Sequence, residues 1–99
     1  MAFSGYRIYC YRPGCSELAR FKIAARWSDG LTQELKTYAL SCLNCLPGQY
    51  ADSKAKQARC RLAPGETLDV PGIYELARGR RDRELVRRFD LEEELSSSS

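Results

Sequence analysis

The sequence predicts a small α+β domain cross-linked by a staple, and three observations carry that expectation. Residues 19–27 alternate apolar and polar, with a turn and a returning segment at 34–41. Beyond residue 46 the apolar spacing changes from a period of two to three or four, which marks the passage from strand to helix. Cysteines fall in two close pairs, Cys10 with Cys15 and Cys42 with Cys45, one on each side of the strand-rich segment. A chain of 99 residues buries only about 60–65 % of its unfolded surface. A core this thin gains from a covalent or metal link.

Taken in order, residues 6–11 (Tyr-Arg-Ile-Tyr-Cys-Tyr) are β-branched and aromatic and read as a short strand. Arg12-Pro13-Gly14 then supplies a turn inside the first cysteine pair, able to point backbone N–H groups at a sulfur. In 19–27, Phe21, Ile23, Ala25 and Trp27 form one face, while Arg20, Lys22 and Arg26 form the other. The apolar face is expected in the core. Ser28-Asp29-Gly30 turns the chain, and the preferred register sets Phe21 against Ala39, Ile23 against Thr37, Ala25 against Leu35 and Arg26 against Glu34. That register leaves a loop of at least three residues.

After Cys45, the residues Ala51, Ala55, Ala58 and Leu62 recur at four, three and four, one face of an α-helix. Pro47 suits its first turn, and Pro64-Gly65 ends it after Leu62. Residues 67–70 and 73–76 are short β-like runs about Pro71-Gly72, a small hairpin or an extended arm lying across the domain. Residues 78–88 are strongly basic, and 91–99 read as a frayed tail. The expected organisation is a metal-binding domain over 1–77, its metal core at about 6–62, followed by a charged arm and flexible tail over 78–99.

Written out, the cysteines are C-x4-C and C-x2-C separated by 26 residues. This spacing matches a structural four-cysteine zinc site, since each short loop aims two sulfurs at one point. Disulfide or redox chemistry at Cys42-Leu43-Asn44-Cys45 and a rubredoxin-like iron site are the competing readings; the second cysteine pair favours a metal, and iron sites of that type usually carry C-x2-C twice. Cys60 lies fifteen residues beyond Cys45, about 22 Å along a straight helix, and is not expected to be a ligand.

Knuckle, hairpin and a C-x2-C pair opening onto a helix together resemble a treble-clef zinc finger. The resemblance covers about residues 6–62 and identifies no individual family. It implies that Cys10 and Cys15 are knuckle ligands of a Zn2+ ion and that Cys42 and Cys45 are its helix-side ligands. C-x4-C departs from the more usual C-x2-C knuckle. A zinc ribbon is the close competitor, and the helical spacing after Cys45 favours the treble clef.

Composition narrows the function. The chain has no histidine, which removes the commonest general base and disfavours Ser-His or Cys-His catalysis. Four thiolates leave no open metal position for water, so the expected zinc holds structure without doing chemistry. No enzyme activity and no small-molecule substrate are therefore expected. Negative mean hydropathy and the lack of a long apolar run argue against a membrane span, and the first residues do not resemble a signal peptide. A reducing, cytoplasmic setting follows.

Charge is uneven: residues 54–88 carry ten Lys/Arg against five Asp/Glu, while 89–99 carry four acids and no base. A non-catalytic module for protein interaction or scaffolding is the favoured function. The alternative is a nucleic-acid-binding finger using the basic segment 54–88. Lys54, Lys56, Arg59 and Arg61 would contribute to it, with Arg78, Arg80, Arg81, Arg83, Arg87 and Arg88 as the main phosphate contacts and Tyr74 and Phe89 as stacking groups.

Overall fold

A computed structural model describes residues 8–76 and 85–97. Its centre is β1 (Phe21–Ser28), which pairs antiparallel with β2 (Gln33–Ser41) on one side. On the other side it pairs with β4 (Gly72–Glu75) along its first half and with β3 (Thr67–Leu68) at its end. β5 (Val86–Arg87) extends the sheet beyond β4. Two helices complete the fold, α1 (Leu46–Ala58) and α2 (Phe89–Ser97). This is the expected α+β class, built on a five-stranded antiparallel sheet.

The alternation in β1 works as expected: Phe21, Ile23 and Ala25 are buried and Trp27 is half-buried. Ala24 is buried as well. The register differs from the sequence-based one. Phe21 faces Ser41 and Ile23 faces Ala39, a shift of two residues; toward the turn Arg26 faces Leu35 and Trp27 faces Glu34, a shift of one. A β-bulge between the two halves, with Tyr38 as the extra residue, takes up the difference. A one-residue slip reverses faces, so Leu35 lies across from Arg26 rather than from Ala25.

The turn sets the register at its own end. Asp29 Oδ1 accepts the N–H groups of Leu31 (2.8 Å) and Thr32 (2.7 Å), and the Asp29 N–H donates to the Thr32 carbonyl. Gly30 takes φ 93°, where an L side chain is strained. The resulting four-residue loop leaves Ser28 opposite Gln33.

Of the two arrangements open for 67–76, the structure adopts the extended arm. Pro71-Gly72 makes no hairpin; β3 and β4 run in succession along β1 with an interruption at Pro71, which has no N–H to donate to a ladder. The buried Pro71 carbonyl accepts Tyr50 Oη at 3.1 Å instead, tying the arm to α1.

α1 keeps Pro47 in its first turn but ends at Ala58, before Leu62. Its buried face is Leu46, Tyr50 and Ser53, whereas Ala51, Ala55 and Ala58 are exposed and Leu62 is 42 % exposed. The face expected from the alanines is the outer one. Three methyl groups hold little apolar area beside Leu46 and Tyr50, and the larger side chains orient the helix. Leu46 and Tyr50 join Phe21, Ile23, Ala39 and Ile73 in the core.

Over the described residues 91–97 the expected frayed tail is helix instead; 98–99 lie outside the described residues. α2 places Leu91 and Leu95 against that core. Glu92 Oε2 accepts the Ile73 N–H at 2.9 Å, and the Glu92 carboxylate takes two bonds from Arg87, at 2.8 and 2.9 Å. The Arg87 guanidinium reaches Glu92 over Gly72, where a Cβ would stand 2.6 Å from Arg87 Nε. A side chain at position 72 would have to push the end of Arg87 off this path.

Candidate metal centre

The first pair of cysteines sits on a loop closed by an isolated bridge between Tyr9 and Leu18. Within it, Cys15 N–H donates to the Arg12 carbonyl at 3.0 Å, around Pro13 and Gly14, whose φ is 85°. Proline second and a left-handed glycine third suit a type II turn. This turn lets a C-x4-C loop double back as tightly as the site needs. Cys10 N–H donates to the Glu17 carbonyl and Tyr11 N–H to the Leu40 carbonyl at 2.8 Å, fastening the Cys10–Cys15 loop to the end of β2.

The second pair follows directly. β2 ends at Ser41, whose buried hydroxyl donates to the Cys42 carbonyl at 2.8 Å. Cys45 is the N-cap of α1 and makes no side-chain cap bond, so its sulfur is left for another role.

The four sulfurs of Cys10, Cys15, Cys42 and Cys45 all lie within 4.8 Å of one another. Zn–S bonds of ~2.3 Å place the sulfurs of a tetrahedron about 3.8 Å apart. Cys15 Sγ and Cys42 Sγ are 3.8 Å apart, whereas a disulfide requires about 2.05 Å. The donor set thus fits a tetrahedral metal ion such as zinc. Cys60 is exposed and lies outside this group.

Burial and mutual contacts set the ionisation of three of the thiols apart. Burial raises the Cys10 thiol, but the N–H groups of Cys42 and Arg12 and the neighbouring thiols outweigh it and hold Cys10 down at about 7. Its neighbours resist a second charge: hydrogen bonding with Cys42 and burial push Cys45 up to about 12. Cys15 is raised too; the Glu17 N–H pulls it down, and burial with the Cys42 contact prevails. A divalent cation inverts this balance by stabilising every thiolate at once.

Gln49, one turn into α1, is a residue that sequence reasoning missed. Its side-chain amide reaches Cys10 Sγ at 3.3 Å and the Leu40 carbonyl at 3.0 Å. Its place four residues after Cys45, on the same side of a helix, was the available signal.

The basic residues have a different setting. Arg87 is paired with Glu92, and Arg88 with Glu75 and Asp90 at 2.6 and 2.8 Å. Tyr74 and Phe89 lie beneath the Arg87 guanidinium, at 5.9 and 4.5 Å. An open concavity of about 540 Å3 is bordered by these groups with Arg26, Glu34 and Leu35. Arg78, Arg80, Arg81 and Arg83 lie outside the described residues. Among the described residues no helix is long and apolar enough to cross a membrane.

Comparison of the chain with protein families, with curated proteins and with solved structures yields no match.

Proposed function

We propose that this chain is a non-catalytic zinc module of treble-clef type that serves as a protein-interaction or scaffold domain in the reducing cytoplasm. The observation that carries the reading is the convergence of four sulfurs within 4.8 Å of one another. The order of parts supports the treble clef over a ribbon: a knuckle, the β1–β2 hairpin, then a cysteine pair whose second member caps a helix. Four thiolates complete the coordination of zinc and leave no position for substrate or water.

A protein partner is favoured by the surface around the cysteines. Ile8, Tyr9 and Leu18 flank the first pair, Tyr11 lies inside it and Leu43 inside the second, and all five are large apolar side chains exposed by about half. Two of the six arginines expected as the main phosphate contacts, Arg87 and Arg88, are occupied by internal carboxylates.

Elemental analysis of freshly purified protein should find one zinc per chain, and a pull-down should retain protein partners after nuclease treatment. Partners that vanish with nuclease would establish the nucleic-acid alternative. Absence of zinc, with circular dichroism unchanged in a strong chelator, would refute the metal reading.

A further inference from the structure

We infer that Gln49 is the positioning residue of the metal centre, a side-chain N–H donor that aims the Cys10 sulfur and draws charge from it. The inference rests on the metal reading and concerns a residue of this chain outside the ligand set.

Both partners of the Gln49 amide, Cys10 Sγ and the Leu40 carbonyl, are acceptors in a site of thiolates, so the amide must present its nitrogen to them. An amide nitrogen carries two hydrogens, one for each. The Leu40 carbonyl also accepts the Tyr11 N–H from the knuckle, filling its second lone pair. The Gln49 backbone N–H donates to the Cys45 carbonyl at 3.0 Å. Gln49 therefore joins the three segments that bear the ligands: the knuckle through Cys10, the end of β2 through Leu40, and the start of α1 through Cys45.

The chemistry gives this junction a purpose. A divalent ion with four thiolates carries a net charge of −2, and each N–H···S bond withdraws part of that charge from a sulfur. Cys10 is buried, where water cannot supply the same relief. A donor held by a helix and a strand does so at fixed geometry, and loss of such outer partners typically costs 10–100-fold in metal affinity.

The test uses the full chain loaded with cobalt(II) alone, followed by competition with zinc(II). Wild-type protein should show the intense visible bands of tetrahedral cobalt and a near-ultraviolet thiolate-to-metal charge-transfer band. Gln49→Met, equal in length but without a donor, should bind about 10–100-fold more weakly. Its charge-transfer band should move to lower energy, because the unbonded sulfur is easier to oxidise. Gln49→Lys restores N–H donors and should keep the band at or above the wild-type energy. Gln57→Met is the control for helix–strand attachment alone, since Gln57 Nε2 bonds the Leu68 carbonyl at 3.2 Å and no sulfur; it should leave affinity and band unchanged.

An unshifted band and affinity in Gln49→Met overturn the inference while leaving the metal reading intact. Should Gln49→Met fail to fold, Gln49→Lys decides: a band below the wild-type energy overturns the inference, and one at or above it supports it. Wild-type protein without a tetrahedral cobalt spectrum overturns the metal reading, and the role of Gln49 with it.

Discussion

Gly72 and Glu92 show how much of this fold depends on single side chains. Glu92 collects an N–H from β4 and two from Arg87, so its carboxylate is satisfied only while Arg87 can cross Gly72. Gly72→Ala should push the guanidinium aside and cost about 1–3 kcal/mol, the range for a hydrogen-bonded charge left short of a partner. Arg87→Ala should cost a similar amount. In the double variant the two effects should be far from additive, because both remove one interaction. Denaturant unfolding of the four proteins measures this, and simple additivity would show that Gly72 matters for another reason. Asp29 supplies a pH-dependent counterpart. N–H bonds from Thr32 and Leu31 hold its carboxyl below the ordinary carboxylate range. The folded state therefore favours the ionised form, and this stabilisation is full above the unfolded pKa and lost as pH falls through the folded one. Asp29→Asn keeps an acceptor oxygen without the ionisation, so its stability should decline less steeply in acid than that of the wild type.

For the elements, the two helices make opposite predictions about which residues matter. On α1, Tyr50→Phe deletes the bond to the Pro71 carbonyl and should cost about 0.5–1.5 kcal/mol. Ala51→Lys and Ala55→Lys lie on the exposed face and should stay within about 0.5 kcal/mol of wild type. Were Ala55→Lys the more damaging change in urea unfolding, the alanine face would be the packed one after all. On α2, half-buried Leu91 and Leu95 hold the helix to the core, while Asp90 and Glu92 in its first turn suit the helix dipole. Leu95→Ala should cost about 1–2 kcal/mol, less than a fully buried leucine. Removing residues 89–99 should lower Tm by more than that single change. An unaltered Tm after truncation would return this segment to the status of a tail.

Across the molecule, backbone hydrogen bonds fasten the four-cysteine site to the sheet. The knuckle is fastened to β2 through Tyr11 and to the start of β1 through the Ala19 N–H, which donates to the Ile8 carbonyl. Structural zinc sites contribute about 10–16 kcal/mol of apparent binding energy in small peptides, as much as the total stability of about 5–15 kcal/mol usual for a domain. A chelator should therefore abolish cooperative thermal unfolding. In hydrogen exchange, amides of the knuckle such as Cys15 should lose protection before that of Ile73 under Glu92. A cooperative transition that persists at the same Tm in chelator would show that the apolar core suffices alone.

The properties legible before folding are those written in short stretches of chain. The two cysteine pairs, the Pro13-Gly14 turn, the alternation of β1 and the start of a helix at Cys45 are each set by neighbours a few residues apart. Local sterics and the period of two or 3.6 suffice to read them. The remaining features depend on contacts between distant parts of the chain. The register of β2 depends on a bulge at Tyr38 and a four-residue loop, and no pairwise match of side chains encodes either. The buried face of α1 went to Leu46 and Tyr50 because a core buries the largest apolar area on offer, and regular alanine spacing adds little to that sum. The segment after residue 88 looks like a charged tail in isolation. It becomes a helix because Ile73 N–H, Arg87 and the core give Glu92, Leu91 and Leu95 partners that lie far away in sequence or appear only on folding.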